Sequence, residues 1–480
     1  MPGRRELCAF VALAAAVRAL VAWRTAMPSR DGATHLWMAE QIAAGDPIAA
    51  FATVFHPLYP LLIGALLAVC PALDAFTAGQ IVGGGCGALA VAPLLAMAAH
   101  RFGPAAGRAA ALLYAFGLWF ARHPAEAASE GVFYAAVALW AWALFGARLR
   151  PLLGGAAAAA AYATRPEGVA LAAVGALRLA RSRPTAAVAF AACAAALSAA
   201  VPLGYLVLGD GFTLTPKASF NYAIGVGAAS DPAAHVAVHA VRALGTAFEA
   251  IGYVAFPLAV AGVVLVLRSP ATRADAWLAA PFALQAAVVP LLHSHLRFLS
   301  GFGILLLPFA GVALARACRP GRVPSDGLPE PVPERRRPGG LLPAPQLQRA
   351  APRWCLPVLL STALLPDLAR LPAARGHERL IERQLGAWLA ARLRPGEFIA
   401  TEMPRLEYFA GQRPGPPRVI TRDELLAAAA APNAPFAVVV AGRSGIDAED
   451  LARLGFRPVS LPDELSTLAR TRGLLVYERR

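Results

Sequence analysis

Apolar runs separated by short polar loops fill most of the chain and determine its architecture. A helix needs about 20 predominantly apolar residues to cross roughly 30 Å of hydrocarbon. Runs that approach this length lie at 7–23, 75–99, 105–120, 131–145, 152–163, 169–179, 185–208, 250–267, 276–292, 298–314 and 354–368. The pattern predicts an all-α polytopic membrane protein with about 11 transmembrane helices.

The apolar run at 57–70 has two alternative placements, because a helix of that length reaches only about 21 Å. If it lies in the membrane interface, the arginine-rich loops all fall on one side, as cytoplasmic loops do. These loops contain Arg101, Arg108, Arg148, Arg150, Arg178, Arg181, Arg183, Arg268, Arg273, Arg316, Arg319 and Arg322. We therefore expect a cytoplasmic N-terminus and an extracytoplasmic C-terminus, with 57–70 and the amphipathic stretch 33–44 as interfacial helices. The short runs 152–163 and 169–179 are compatible with a broken pair.

The composition changes after the tenth run, which predicts four parts. Residues 1–318 form the transmembrane domain, and the proline- and arginine-rich segment 319–353 is a disordered cytoplasmic linker. Residues 354–368 form the last transmembrane helix, and 377–480 form a small extracytoplasmic α/β domain. In that domain, predicted strands at 397–402, 436–441 and 473–477 alternate with helices at 377–394, 423–429 and 447–454.

Composition and charge agree with a membrane protein. The 480 residues are 58% hydrophobic and only 15% charged, which lies outside the range of soluble proteins. Nucleic acid is a poor explanation for the net charge of +15, because the arginines lie mainly between apolar runs. The six cysteines show no metal-binding spacing, and we interpret them as small apolar residues. Lys217 is the only lysine among 44 basic residues.

Ionisable residues gather at the span ends on the predicted outer side. Polar groups in and near a membrane often mark function, although a single one is often only an interfacial anchor. A carboxylate there can act as a base toward a hydroxyl, and cations can hold a phosphate. The outer set contains Asp31, His35, Glu40, His56, His123, Glu126, Glu130, Arg165, Glu167, Lys217, Asn221, Asp231, His235, His239, Arg242, His293, His295 and Arg297.

A metal centre is an alternative interpretation of part of this set. Asp31, Glu130, His56 and the pair His293/His295 are the candidate ligands. Histidines two residues apart point to different faces of a helix, which disfavours such a centre. We therefore assign no metal and no cofactor. Glycines 83–85 and 87 lack the strand context of a nucleotide-binding loop, and close helix packing is the better interpretation.

Several motifs together resemble the GT-C membrane glycosyltransferases, specifically glycosyltransferase family 39 and the dolichyl-phosphate-mannose protein mannosyltransferases. They are Asp31-Gly32 with its amphipathic helix, His56-Pro57-Leu58-Tyr59-Pro60, Ser129-Glu130, Thr164-Arg165-Pro166-Glu167-Gly168 and Arg297-Phe298. The resemblance covers about residues 1–318. This chain has Asp-Gly where the family pattern is commonly Asp-Glu.

The resemblance implies a polyprenyl-phosphate sugar donor and inverting transfer to a lipid, glycan or protein acceptor on the outer face of a bacterial inner membrane. Asp31 matches the family's first-loop aspartate, which is the expected base or acceptor-orienting residue, and Glu130 matches its second-loop acid, so both are candidate catalytic residues. Cations at the headgroup level suit a lipid phosphate, and Arg165, Lys217 and Arg297 are available for that role. His35, His56, Tyr59 and Glu167 are the remaining candidates for substrate binding.

Two other functions remain open at this point. A polytopic lipid or sugar transporter would show internal repeats and acids at mid-membrane, whereas the acids here lie at span ends. A non-catalytic membrane scaffold would leave the outer acids without a role.

Overall fold

The computed structural model describes residues 2–209, 211–224, 226–291, 296–318, 379–414, 421–441 and 445–479, with 361, 364–365, 367–371, 373 and 376. The linker 319–353, His293, His295 and most of the predicted last span at 354–368 lie outside the described residues.

Residues 4–317 are helical almost throughout, as the apolar pattern predicts. The helices are α1 Arg4–Trp23, α2 Arg30–Ala43, α3 Leu58–Val69, α4 Ala75–Leu89, α5 Val91–Phe102, α6 Pro104–Phe116, α7 Leu118–Ala125, α8 Glu130–Phe145, α9 Pro151–Thr164, α10 Val169–Ser182, α11 Pro184–Ser198, α12 Ala200–Leu208, α13 Pro216–Ile224, α14 Pro232–Ile251, α15 Ala255–Arg268, α16 Ala280–Val288, α17 Leu296–Gly303 and α18 Leu307–Ala317. Short 3-10 helices lie at Pro47–Phe51, Pro166–Gly168, Val226–Ala228, Arg273–Ala279, Val289–Leu291 and Ile304–Leu306.

The chain is an integral multi-pass membrane protein. In the described part, five helices are long and apolar enough to cross a membrane, or six if α14 and α15 form one bent span. The five are Arg4–Trp23, Ala75–Phe102, Pro184–Leu208, Arg273–Leu291 and Arg297–Ala317. Glu130–Phe145 and Leu58–Val69 are apolar but shorter. Each predicted run up to 298–314 coincides with helical structure, whereas the number of crossings stays a prediction.

The predicted span at 250–267 starts too early. Residues up to Ile251 belong to α14, and α15 begins at Ala255 after a bend of 100°. Gly252 lies at the bend with a φ of +112°, which glycine adopts without the steric cost of a side chain. The 20-residue helix α14 lies in a region predicted only as a long outer loop.

The core of the membrane region surrounds α8, which is buried on nearly all sides. Its first turn lies directly against α4, because a Cβ on Gly131 would lie 2.0 Å from the carbonyl oxygen of Gly83. The interpretation as helix-packing glycines agrees with this contact at Gly83 and with Gly87, where a Cβ would lie 2.9 Å from Nε of Arg18, whereas a Cβ on Gly85 would meet nothing within 4 Å. The contact fixes the position of the neighbouring Glu130.

The C-terminal region is a small α/β structure, as predicted. Its elements are α19 Leu380–Ala390, β1 Ile399–Thr401, α20 Pro404–Phe409, α21 Arg422–Ala430, β2 Phe436–Val440, α22 Ala448–Arg453, β3 Phe456–Pro458, α23 Asp463–Thr471 and β4 Leu474–Arg479. The sheet order is β1-β2-β4-β3, in which β1 and β2 are parallel and β4 is antiparallel to both of its neighbours. The three predicted strands are present. The prediction missed β3, α20 and α23.

The C-terminal region packs on α2, the helix that the sequence predicts at the membrane interface. The hydroxyl of Tyr408, in α20, donates to Oε1 of Glu40 at 2.8 Å. Arg413 donates to the carbonyl of Ala52, and its guanidinium lies 5.5 Å from the ring centroid of Trp37. These contacts place the C-terminal region beside the helix that begins with Arg30 and Asp31.

Candidate active site: a chain of ion pairs

Six charged side chains from distant parts of the sequence form one chain of alternating sign. In order they are Lys217, Asp31, Arg297, Glu130, Arg165 and Glu167. Their exposed side-chain fractions run from 0% for Glu130 to 17% for Asp31. All six were predicted from the sequence as site residues, and the structure brings all of them together.

Asp31 lies between Lys217 and Arg297 in this chain, in the first turn of α2. Its Oδ2 accepts from Nζ of Lys217 and from Nη1 of Arg297, each at 2.9 Å. No hydrogen bond from the described residues reaches Oδ1. The carboxylate therefore has one oxygen held by two cations and one oxygen available to a substrate hydroxyl.

The residue after Asp31 explains why this chain departs from the common Asp-Glu pair. Gly32 packs against the turn after α7, where a Cβ would lie 2.7 Å from the carbonyl oxygen of Glu126. The side chain of Ser29 caps α2 by accepting from the Gly32 amide at 2.9 Å. A second acid at this position would require the two segments to separate.

Glu130 lies at the centre of the chain and is fully buried at the start of α8. Its Oε1 accepts from Arg165 Nη1 at 2.5 Å and from Arg297 Nε at 2.6 Å, and its Oε2 accepts from Arg297 Nη2 at 3.1 Å. The N-terminus of a helix also favours a negative charge. Through its two guanidinium partners, this buried carboxylate links α8 to α17 and to the 165–168 turn.

Glu167 ends the chain on the far side of Arg165. Its Oε1 accepts from Arg165 Nη2 at 3.0 Å. Arg165 thus lies between two carboxylates and its side chain is only 7% exposed, whereas the side chains of Lys217 and Arg297 are 15% and 16% exposed. Lys217 and Arg297 are therefore the more accessible cations for an incoming anion.

Burial and neighbouring charge shift the pKa values of the site groups outside the spans. Burial by itself raises the pKa of Asp31, but the charges of Lys217 and Arg297 outweigh it and hold that pKa far below its usual range. Burial lowers the pKa of Lys217, an effect that Asp31 opposes and Arg297 and Arg165 reinforce. Burial also lowers the pKa of His35 to about 3 and that of His56 to about 4. Both histidines are therefore neutral at neutral pH.

The other predicted substrate-binding residues lie beside the chain rather than in it. His35 contacts the rings of Phe55 and Tyr59, with centroids 4.7 and 5.3 Å away. The Tyr59 hydroxyl donates to the Gly79 carbonyl at 2.9 Å, which joins α3 to α4. The ring of His56 packs against Tyr162 at 5.1 Å, and its nitrogens form no hydrogen bond of ordinary geometry with described residues.

Phe55 is a site residue that the sequence analysis missed. Nζ of Lys217 lies 4.0 Å from the centroid of its ring, and His35 packs on the same ring. The only signal for Phe55 was its position before His56-Pro57. Contact with an ammonium over an aromatic face depends on the fold and leaves no local pattern.

The described residues contain no group of three or more His, Cys, Asp or Glu side chains arranged for a metal ion. The carboxylates of Asp31, Glu130 and Glu167 face arginine and lysine instead. Each of these three carboxylates has a cationic side chain at hydrogen-bonding distance.

Solved membrane-protein structures share this fold across nearly the whole chain. ArnT from Cupriavidus metallidurans bound to undecaprenyl phosphate superposes with a TM-score of 0.61 at 13% identity, covering 99% of this chain and 98% of that one. The same protein in the apo state gives 0.59 at 14% identity, with coverage of 98% and 97%. The oligosaccharyltransferase of Archaeoglobus fulgidus in complex with zinc and sulfate gives 0.60 at 13% identity, covering 90% of this chain and 67% of that one.

These similarities confirm the GT-C fold that the motifs predicted. Because the sequence identities are low, these similarities show the fold alone. No protein-family profile matches this sequence, and no curated protein matches it.

Proposed function

We propose that this protein is a membrane glycosyltransferase that moves a sugar from a polyprenyl phosphate to an acceptor hydroxyl on the extracytoplasmic face. The ion-pair chain is the observation that supports this function. It places a carboxylate with a free oxygen beside two cations, at the outer end of the spans in the predicted topology. Two proteins of the same fold support the donor class. ArnT is bound to undecaprenyl phosphate, and the archaeal oligosaccharyltransferase has been solved in complex with a dolichol phosphate.

The donor phosphate would bind between Lys217 and Arg297. A lysine meets a phosphate as a compact point charge, and an arginine can meet it with two parallel hydrogen bonds. Both cations contact Oδ2 of Asp31 in the absence of donor. The phosphate would therefore replace the carboxylate as their partner, while Glu130, Arg165 and Glu167 keep Arg297 in position.

This exchange would also activate the base. With its two cations turned toward phosphate, Asp31 loses the interactions that lower its pKa, and its proton affinity rises. Asp31 then accepts the proton of the acceptor hydroxyl as the hydroxyl oxygen bonds to the anomeric carbon. The bond from that carbon to the phosphate oxygen breaks, and the polyprenyl phosphate leaves with its negative charge held by Lys217 and Arg297. A single displacement of this kind inverts the anomeric configuration.

The remaining sequence-based expectations are part of this proposal. The protein would lie in a bacterial inner membrane with its N-terminus in the cytoplasm and its C-terminal region outside. The transferred sugar is a hexose or a pentose, and the acceptor is a lipid, a glycan or a protein. The reaction would need no metal or cofactor, since cationic side chains already neutralise the site carboxylates.

Purified protein incubated with a panel of undecaprenyl-phosphate sugars and cell-envelope acceptors tests the function. We expect release of free undecaprenyl phosphate together with covalent transfer of labelled sugar. The Asp31→Asn variant should lose transfer, and Arg453→Ala, at an exposed surface ion pair, should keep it. Movement of intact donor across proteoliposomes without cleavage would instead establish the transporter, and failure to bind any polyprenyl phosphate would refute the proposed donor class.

A further inference from the structure

A cavity of about 540 Å³ lies beside the ion-pair chain, on the side of the C-terminal region. Its wall comes from α2, the segment 51–55, the end of α12, the segment 211–216 and the residues 413–414. A volume of this size lies within the range of small-molecule sites, which span about 300–1,000 Å³.

The cavity is continuous with the proposed reaction centre. Thr34 lines it and lies three residues after Asp31 on α2, so both side chains share one face of the helix. Phe55 also lines it, and the same ring carries the ammonium of Lys217 at 4.0 Å. A ligand that fills the cavity therefore has its end beside Asp31 and Lys217.

The lining combines aromatic faces with hydroxyl groups. Phe51 and Tyr205 pack edge to face at 5.4 Å, and Phe212 is an aromatic side chain that is 61% exposed. Thr34 is 1% exposed, and its hydroxyl has no hydrogen-bond partner among the described residues. A buried hydroxyl without a partner is costly, and a ligand hydroxyl would remove that cost.

Among the described residues of the lining, Arg413 alone is charged, and it comes from the C-terminal region. It is held there by its bond to the Ala52 carbonyl and its contact with Trp37, while Tyr408 and Glu40 join the same two elements. A lipid tail would not use an arginine and hydroxyls. For a phosphate, the described lining offers Arg413 alone, and the next cation, Lys217, lies at the end of the cavity on the ring of Phe55. A sugar ring can pack its apolar face on aromatic rings and can form hydrogen bonds through the hydroxyls at its edge. The wall of this cavity offers both kinds of contact.

On the basis of the proposed glycosyl transfer, we propose that this cavity is a carbohydrate-binding subsite and that Arg413 determines its specificity. The sugar bound there belongs either to the lipid donor or to a glycan acceptor. In both cases the C-terminal region completes the subsite by contributing Arg413. Thr34 supplies a second hydrogen-bonding group, close to Asp31.

The experiment measures binding of three probes to full-length protein in one detergent. The probes are undecaprenyl phosphate, undecaprenyl-phosphate glucose and mannose, and a panel of soluble disaccharides. The variants are Thr34→Val, which keeps the side-chain shape, and Arg413→Ala. Arg453→Ala is the matched control, because Arg453 is exposed in the same region and pairs with Glu449.

Both variants should bind bare undecaprenyl phosphate like the parent. If the donor sugar occupies the cavity, the sugar-lipid affinity should fall about tenfold in each variant, the effect of one lost hydrogen bond. If an acceptor glycan occupies it, a disaccharide should lose affinity by a similar factor while the sugar-lipid affinity stays unchanged. Unchanged affinity for every sugar in both variants, with normal folding, would overturn the subsite. If the parent fails to bind undecaprenyl phosphate, the proposed donor is wrong, and disaccharide binding that depends on Thr34 still supports the subsite.

Discussion

Asp31 and Arg297 lie 266 positions apart in the sequence, yet Nη1 of the arginine donates to Oδ2 of the carboxylate at 2.9 Å. The same guanidinium uses its other two nitrogens to hold Glu130. Arg297 therefore links the proposed base to the buried centre of the site. This arrangement makes the charge state of Asp31 depend on whether Arg297 and Lys217 face the carboxylate or a phosphate.

The Asp31→Asn variant tests this dependence. General-base help is typically worth about 10²–10⁴-fold in rate, and we expect turnover to fall by that range. Affinity for undecaprenyl phosphate should be retained or increase, because the amide no longer competes for the two cations. Single-turnover transfer and donor affinity, measured on the same sample, check both parts. Near-normal turnover would remove Asp31 from the mechanism.

The sequence predicted the members of this site but not how they pair. Ionisable residues at the ends of apolar runs are visible locally, which is why Asp31, Glu130 and Arg297 were found. The pairing of Lys217 with Asp31, and the ring of Phe55 beneath the ammonium, depend on contacts across about 160–190 residues of chain.

For the fold, too, the sequence predicted the parts that leave a local pattern and missed those that do not. Apolar length predicted the helices, because membrane burial requires it. The bend at Gly252 was missed, because a glycine in an apolar run gives no sign of its backbone angle. The strand β3 was missed because it is three residues long and its last two residues are exposed.

The Lys217→Ala variant should weaken donor binding. Loss of one charge-assisted hydrogen bond costs about 1.5–3 kcal/mol, and we expect the binding free energy of undecaprenyl phosphate to fall by that amount. Lys217→Arg should restore only part of it, since the planar guanidinium cannot place its charge where the ammonium lies. Donor affinity for the three forms in one detergent is the measurement. Parental affinity in the alanine variant would make Lys217 a structural residue only.

Donor binding should also weaken at alkaline pH through Lys217. Burial lowers the pKa of this lysine below the ordinary 10.5, so the ammonium loses its proton earlier than a solvated lysine does. Affinity should therefore be constant near neutral pH, where the low pKa of Asp31 keeps its carboxylate ionised, and should decline before about pH 10.5. The Lys217→Arg variant should lack this decline, because a guanidinium stays charged. An identical decline in that variant would assign it to another group.

The two glutamates that flank Arg165 should differ in their effect on stability. Glu130 is fully buried and holds two arginines, so Glu130→Gln breaks two buried ion pairs at once and leaves Arg165 with Glu167 alone and Arg297 with Asp31 alone. Breaking a buried pair typically costs about 3–5 kcal/mol in the free energy of unfolding. Glu167→Gln should cost less, because Arg165 keeps Glu130. The exposed Glu449→Gln should cost about 0–1 kcal/mol and serves as the control in unfolding measurements.

The last prediction concerns topology, which decides the side of the membrane on which the site operates. Arginine-rich loops favour the cytoplasm, and the short helix α3 lies in the interface in the predicted arrangement. Reporter fusions after residue 104 and within 319–353 should therefore report a cytoplasmic location, and a fusion at residue 480 an extracytoplasmic one. The segment containing α4 and α5 is 28 residues long, which is long and apolar enough to cross the membrane whatever the placement of α3. An extracytoplasmic signal at residue 104 would refute the predicted topology. With α3 still in the interface, that signal would mean that the whole chain has the opposite orientation and that the ion-pair chain lies on the cytoplasmic side.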